Sequence, residues 1–229
     1  MRRHPLPSAA GLAIACALLA GPAAGGDVRV TVSVLTPEKT TAPGAGAVVW
    51  VVDAAAAKQA SASAKARIAS KSKRFDPHVA VVPAGGTVQF PNLDGIYHNV
   101  FSLSEKARFD LGLYRNGAAR AMTFENPGPV KIYCNIHPQM AAVLVVIDGA
   151  IWAQAGADGT AVLAGVPAGK ATVRAWDEKG GEFTAVVDVP AAGMVPLVVS
   201  LDGSLWRDAG HKNKYGKDYP PPDDDGNRY

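Results

Sequence analysis

The sequence of 229 residues predicts an all-β protein built as two small sandwiches. Three observations carry that prediction. Short runs rich in Val, Ile, Thr and aromatic residues recur through most of the chain. Gly, Pro, Asn and Asp cluster between nearly all of them, and no long stretch shows the 3.6-residue apolar period of a packed helix.

The first segment reads as an address rather than as structure. Arg2 and Arg3 precede the apolar stretch Leu12 to Ala20, which is too short to span a bilayer and runs into the small residues Gly21 to Gly26. A secretory signal over residues 1–25, cleaved near Ala23 or Gly25, is therefore expected, and with it a periplasmic location. Cys16 lies in the apolar run, but Ala13 stands where a lipid-attachment signal would want leucine. No other stretch could span a membrane.

Residues 27–57 carry two expected strands, the alternating Val28, Val30, Val32, Val34 and, behind the turn-forming Pro43 to Gly46, the run Ala47 to Val52. Gly44 and Gly46 lack the following helix and spacing of a phosphate-binding loop, which excludes a nucleotide site. From Ala54 to Ala64 the Ala/Ser-rich sequence reads as a linker or a short exposed helix. Residues 64–147 then form one sandwich-sized unit, with strands expected around Ile68 and at Val79 to Val82, Thr87 to Phe90, Val100 to Leu103, Ala121 to Phe124, Val130 to Cys134 and Ala142 to Ile147. Turns at Pro83 to Gly86, Asn92 to Gly95, Arg115 to Gly117 and Asn126 to Pro129 separate them.

Residues 148–203 supply a second β unit. Asp158, Gly159 reads as a hairpin turn, followed by strands at Val162 to Val166, Thr172 to Trp176, Phe183 to Val189 and Val195 to Leu201. Gly46 to Val51 together with Asp158, Gly159, Val166, Pro167, Gly169 and Trp176 resembles a transthyretin-like or carboxypeptidase-regulatory-like sandwich. That resemblance implies that Val28 to Val52 pairs with Ala161 to Leu201, so that residues 64–147 interrupt the smaller sandwich. Nested and sequential arrangements both fit the pattern. The tail over residues 204–229, with Pro220 to Pro222 and Asp223 to Asp225, is polar and expected to be extended.

Charge narrows the partners. Removing Arg2 and Arg3 from the 23 basic residues leaves 21 against 20 acidic ones, so the exported protein is nearly neutral. Neither nucleic acid nor an anionic membrane is expected to bind it. Removal of the signal also leaves Cys134 as the only cysteine. A lone thiol in an oxidising compartment forms no internal disulfide and is a liability unless something occupies it.

The surroundings of Cys134 say what occupies it. Cys134, His137 and Met140 stand in one loop with two residues between each and the next, and His98 lies upstream in the run His98, Asn99, Val100. A thiolate, two imidazoles and a thioether are the donor set that favours soft, redox-active copper. His98, Cys134 and His137 would form a trigonal plane, with Met140 as the long axial donor that tunes the potential. One copper of type 1 is expected, and an ionised Cys134 must release its proton to bind it.

Phe90, Pro91, Asn92, then His98, Asn99, Val100, Phe101, then Gly128, Tyr133, Cys134, His137 and Met140 resemble a cupredoxin, which implies a Greek-key β-sandwich. The short CxxHxxM spacing is similar to that of amicyanins, and Phe109, Asp110, Leu111, Gly112, Leu113, Tyr114 resembles the proteins labelled methylamine utilization protein. The resemblance implies that Asn99 ties the two ligand-bearing loops together by hydrogen bonds. It implies further that His137 is the electron port beside Pro138, and that the partners are transient redox proteins of dehydrogenase or cytochrome type. The second β unit and the tail have no counterpart in a minimal cupredoxin.

Other residues have plainer readings. His78 reads as a strand-start residue outside the site, His211 as a solvated tail residue. Lys65, Arg67, Lys71 and Lys73 fall on one side of a strand at period two and read as charges that blunt a sheet edge, with docking of an acidic partner as the alternative. No nucleophile elbow accompanies Ser102 or Ser104, no paired carboxylates stand in an acid/base arrangement, and four protein donors leave no open metal position. An enzyme is therefore not expected. Two other functions use the same residues: a copper carrier or store, or a β-sandwich binding module with a vestigial copper site.

Overall fold

A computed structural model describes residues 25–207 and 210–219. The expected signal segment, Cys16 and the end of the tail lie outside them. The described chain is all-β, with one short helix. It begins with β1 (Gly25–Leu35), β2 (Thr41–Pro43), β3 (Val48–Val51) and α1 (Ala54–Ser61). A middle block follows: β4 (Lys65–Arg67), β5 (Ala69–Lys71), β6 (Arg74–Asp76), β7 (Val79–Pro83), β8 (Gly86–Pro91), β9 (His98–Ser104), β10 (Ala107–Tyr114), β11 (Ala119–Phe124), β12 (Gly128–Tyr133) and β13 (Ala141–Ile147). The last block is β14 (Trp152–Gln154), β15 (Thr160–Pro167), β16 (Gly169–Asp177), β17 (Gly181–Val189) and β18 (Met194–Asp202).

The first and last blocks build one sandwich. β1 lies between β15, antiparallel, and β18, parallel. The facing sheet runs β14-β3-β16-β17. Alternation along β1 turns Val28, Val30, Val32 and Val34 inward against Val49, Val173 and Ala175 of that facing sheet, and against Leu163 and Val199 of its own strand neighbours. The middle block is thus threaded between β3 and β14 and forms its own pair of sheets, β10-β9-β12-β13-β7 and β11-β8-β4. Its core is Ile68, Val88, Phe90, Val100, Phe124, Ile132 and Leu144.

A third apolar cluster joins the two sandwiches. Val48, Trp50 and Trp176 of the outer one pack on Val143, Val145 and Ile147 of the inner one. β13 is buried on both faces for this reason, and its sequence is a continuous apolar run rather than an alternating one. Asp148, just past β13, accepts hydrogen bonds from Trp50 Nε1 at 2.7 Å and Arg174 Nη1 at 3.2 Å, fixing the chain where it re-enters the outer sandwich.

Several local expectations are revised. Asp158 and Gly159 do form a tight turn, with Gly159 at φ +78°, but it closes no hairpin. β14 before it pairs with β3, and β15 after it pairs with β1, so the turn carries the chain from one sheet to the other. Residues 107–114 form a strand that the turn-bounded reading omits. Gly112 at φ +72° introduces an irregularity between Asp110 and Leu113 that breaks the two-residue alternation. The basic run from Lys65 to Lys73 is not one strand. β4, with Lys65 and Arg67, is the edge of its sheet, and buried Ile68 separates it from the hairpin of β5 and β6 that carries Lys71 and Lys73.

Candidate metal centre

The end of β12 and the start of β13 are joined by a loop that brings three candidate donors to one place. Met140 N–H donates to the His137 carbonyl at 2.9 Å, and Cys134 N–H to the Met140 carbonyl at 3.3 Å, so the loop closes on itself. His98 opens β9, which pairs with β12 through Phe101 and Tyr133. The donor atoms of His98, Cys134 and His137 all lie within 4.8 Å of one another. Cys134 Sγ is 3.9 Å from His98 Nδ1 and 3.8 Å from His137 Nδ1.

Those distances fit a metal. With metal–sulfur and metal–nitrogen bonds of about 2.3 and about 2.0 Å, the lengths typical of zinc, a trigonal arrangement puts sulfur and nitrogen about 3.7 Å apart. His98, Cys134 and Met140 have no solvent exposure and His137 is 8% exposed. Met140 belongs to the same apolar cluster as Cys134.

Hydrogen bonds hold the donors from behind. Asp94 Oδ2 lies 2.7 Å from His98 Nε2. A carboxylate there requires the proton on Nε2 and leaves the Nδ1 lone pair facing Cys134, the tautomer a metal needs. The same carboxylate accepts from the backbone N–H groups of Ser72 and, at 2.9 Å, Lys73. Both residues are left-handed, at φ +54°, as a two-residue hairpin turn demands, and Asp94 offsets the cost of non-glycine residues there. Asn92 shapes the loop that presents Asp94: its side chain donates to the carbonyls of Ile96 and Tyr114 and accepts from Asp94 N–H.

Asn99 spans the two segments that carry the candidate donors. Its Oδ1 accepts from Asn135 N–H at 3.3 Å, while its Nδ2 donates to Asp110 Oδ1 at 2.7 Å.

The electrostatics favour the neutral forms of Cys134 and His137 until a cation enters. Burial pushes the Cys134 thiol up, only partly countered by backbone N–H groups of Asn99, Ile136 and His137. Burial pushes His137 down, with help from His98 and the nearby charge of Lys73, so its imidazole stays available as a donor in mild acid. For Asp94, burial alone would raise the pKa. The amides of Lys73 and Ser72 together with His98 outweigh it, and the carboxyl sits below its ordinary range.

The tail is the largest departure from expectation. His211 is not a solvated bystander. Its ring stacks on Tyr133 with centroids 3.9 Å apart and planes 14° from parallel, and Nε2 lies 2.7 Å from the Pro138 carbonyl. Lys214 N–H donates to Asn135 Oδ1 at 3.0 Å, and Lys214 Nζ meets Asp110 Oδ2 at 2.7 Å. Tyr219 Oη donates to the Cys134 carbonyl at 3.2 Å. Residues 211–219 therefore lie across the ligand loop at Tyr133, Cys134, Asn135 and Pro138. Nothing in the tail's polar composition signals this, because the contacts are single hydrogen bonds and one ring stack rather than an apolar pattern.

His78 is outside the centre, as its sequence context implies. Its Nδ1 faces the Ala141 carbonyl at 3.2 Å and its Nε2 meets Glu178 Oε2 at 2.7 Å, which bridges inner and outer sandwiches.

No family model matches the chain, and no curated protein matches it. Solved structures overlap it in part. A copper-containing nitrite reductase from Thermus scotoductus is 24% identical over 38% of this chain, with a TM-score of 0.36, and the chain spans only 23% of that protein. A purple cupredoxin from Nitrosopumilus maritimus is 25% identical over 35% of this chain and 98% of its own, TM-score 0.32. Amicyanin from Paracoccus versutus is 24% identical over 42% of this chain and 90% of its own, TM-score 0.34. Among the described residues no helix is long and apolar enough to cross a membrane.

Proposed function

We propose that this protein binds one copper ion of type 1 between His98, Cys134 and His137, with Met140 as a weaker fourth donor, and passes single electrons between redox proteins in the periplasm. The observation that carries the reading is the convergence of two imidazole nitrogens on a buried thiol, the one cysteine among the described residues, at distances that suit one metal. Bound there, copper supplies a one-electron couple between its two common oxidation states. The chain's own part is to hold the donors still.

Cys134 gives up its proton on loading and presents a thiolate from the end of β12. Asp94 fixes the tautomer and angle of His98. Asn99 locks the loop of His98 to that of Cys134, and residues 211–219 press on the same loop from outside. Restraint of this kind suits electron transfer, since donors that do not move between oxidation states leave little to reorganise. His137, on the loop and slightly exposed, is the proposed point of electron exit. With four protein donors the proposed site keeps no position for a substrate, so transfer rather than catalysis is its chemistry. A dehydrogenase or a cytochrome would be the partner class, in a small and transient encounter.

Substitution tests the assignment. His98→Ala should abolish the intense visible band of the Cu(II) protein, and an unchanged spectrum would sink the ligand set. Met140→Leu should keep copper and raise the reduction potential, whereas complete loss of copper would mean that Met140 does more than tune. Slow loss of copper to a strong chelator supports electron transfer; rapid release would support a carrier.

A further inference from the structure

Beside the ligand loop lies a cleft of about 790 Å³ whose outer lip is the β5–β6 hairpin, with Lys71, Ser72 and Arg74 on one side and Gln139 and Ala141 of the ligand loop region on the other. Lys71, Lys73 and Arg74 are all exposed, and none forms an ion pair with a described residue. Two carboxylates are close, Asp94 and Asp76, and neither forms an ion pair with the lip. Asp94 is committed to two backbone amides and His98, and Asp76 lines the same cleft two residues beyond Arg74 without pairing with any of the three cations. A chain with a formal net charge of only +3 has thus gathered three unpaired cations on one turn.

The turn is not a loose surface feature. Its two left-handed residues are gripped by Asp94, which grips His98, whose ring centroid is 4.8 Å from that of His137. Lys73 and its neighbours are therefore held at a fixed place relative to the proposed electron port. The loop's other border is taken: residues 211–219 cover it at Tyr133, Cys134, Asn135 and Pro138. None of these tail contacts is made to the hairpin side, and charge is what that side offers.

We infer that the cleft and its cationic lip are the docking surface for an acidic redox protein, whose carboxylates meet Lys71, Lys73 and Arg74 while its redox group approaches His137. This deepens the reading of the metal centre and rests on it. Oppositely charged surfaces speed encounter and fix orientation, and the effect weakens as salt screens it.

The test uses the full-length, copper-loaded protein and two probes. Oxidation of the reduced protein by hexacyanoferrate(III) moves one electron from Cu(I) to Fe(III), giving Cu(II) and Fe(II), with no proton transferred. Its rate should fall as salt rises. In the K71E/K73E/R74E variant it should drop by about tenfold at low salt and then rise with salt. Poly-L-glutamate added to the reduced protein should shift the amide resonances of Ser72 and Lys73 and slow the oxidation, and both effects should vanish in the variant.

Superimposed rates for the two proteins across the salt range, or no response to poly-L-glutamate, would overturn the proposal. Inhibition that appears only after D223N/D224N/D225N would assign the lip to the chain's own tail, and overturns it equally. If the triple variant does not fold, K71Q and K73Q singly should each give a smaller loss of salt dependence, and no loss in either has the same meaning. A wild-type protein without the intense visible band fails earlier, at the metal centre itself, so the two failures are distinct.

Discussion

Asp94 joins three groups beside the centre through one carboxylate. It orients His98 and satisfies two strained amides of the hairpin turn at once. Removing its charge while keeping its shape, by Asp94→Asn, should weaken copper binding by about ten- to a hundredfold, measured by competition with a chelator of known affinity. An unchanged affinity would reduce Asp94 to a turn-stabilising residue. The pH dependence of binding follows from Cys134. A thiol raised by burial is protonated at neutral pH, so each copper bound displaces its proton and affinity should fall about tenfold per pH unit on going to acid. His137, lowered by burial, adds its own proton competition only below its ordinary range, so the slope steepens there and not near neutrality. Affinity independent of pH between about 5 and 8 would contradict a thiolate donor. The convergence of Cys134 and His137 is legible in the sequence because loop spacing fixes which donors share a turn, whereas His98 comes from another strand and is suggested by the resemblance of its own run. Asp94 is not legible, since one acidic residue in a polar loop looks like any other until the backbone brings Ser72 and Lys73 to it.

At the scale of elements, the ligand loop is held from two directions, by Asn99 from β9 and by the tail. Ending the chain after Trp206 removes His211, Lys214 and Tyr219 together with their bonds to Pro138, Asn135, Asp110 and Cys134. The sandwich cores contain none of these residues and should stay folded. Copper loss to a chelator should then be several-fold faster, and His211→Ala with Tyr219→Phe should reproduce part of the effect. Equal loss rates in truncated and full-length protein would make the tail a bystander. Strand positions are largely legible from alternation and turn residues. The lapses have local causes: Gly112 interrupts the alternation of β10, and the Asp158–Gly159 turn looks the same whether it closes a hairpin or passes between sheets.

For the whole molecule, the all-β class is plain from composition and period, whereas threading of one sandwich through the other resides in pairings such as β1 with β18 that no local pattern encodes. Trp50, Trp176 and Ile147 make that junction apolar, and the His78–Glu178 pair adds a titratable contact across it. His78 is raised chiefly by its hydrogen bond to Glu178, and Glu178 is lowered chiefly by the same bond. The histidine's contribution is complete below its unfolded pKa near 6.5 and is lost as pH climbs through the raised value; the glutamate's is complete above its unfolded value near 4.5 and is lost as pH falls through the lowered one. The junction is therefore most stabilised between those two values. His78→Gln should lower the urea midpoint near pH 5.5 and leave it unchanged at pH 8.5. The effect should stay within about 1 kcal/mol because the pair is partly exposed. A loss equal at both pH values would mean that His78 acts by packing alone.

The central claim is that the three clustered donors hold one copper through a thiolate. Adding Cu(II) stepwise to the purified protein while recording its visible and paramagnetic spectra tests this directly. An intense thiolate-to-copper band that saturates at one equivalent, and is missing in Cys134→Ser, is the predicted result. A colourless protein at one equivalent, or a band that survives Cys134→Ser, would contradict it.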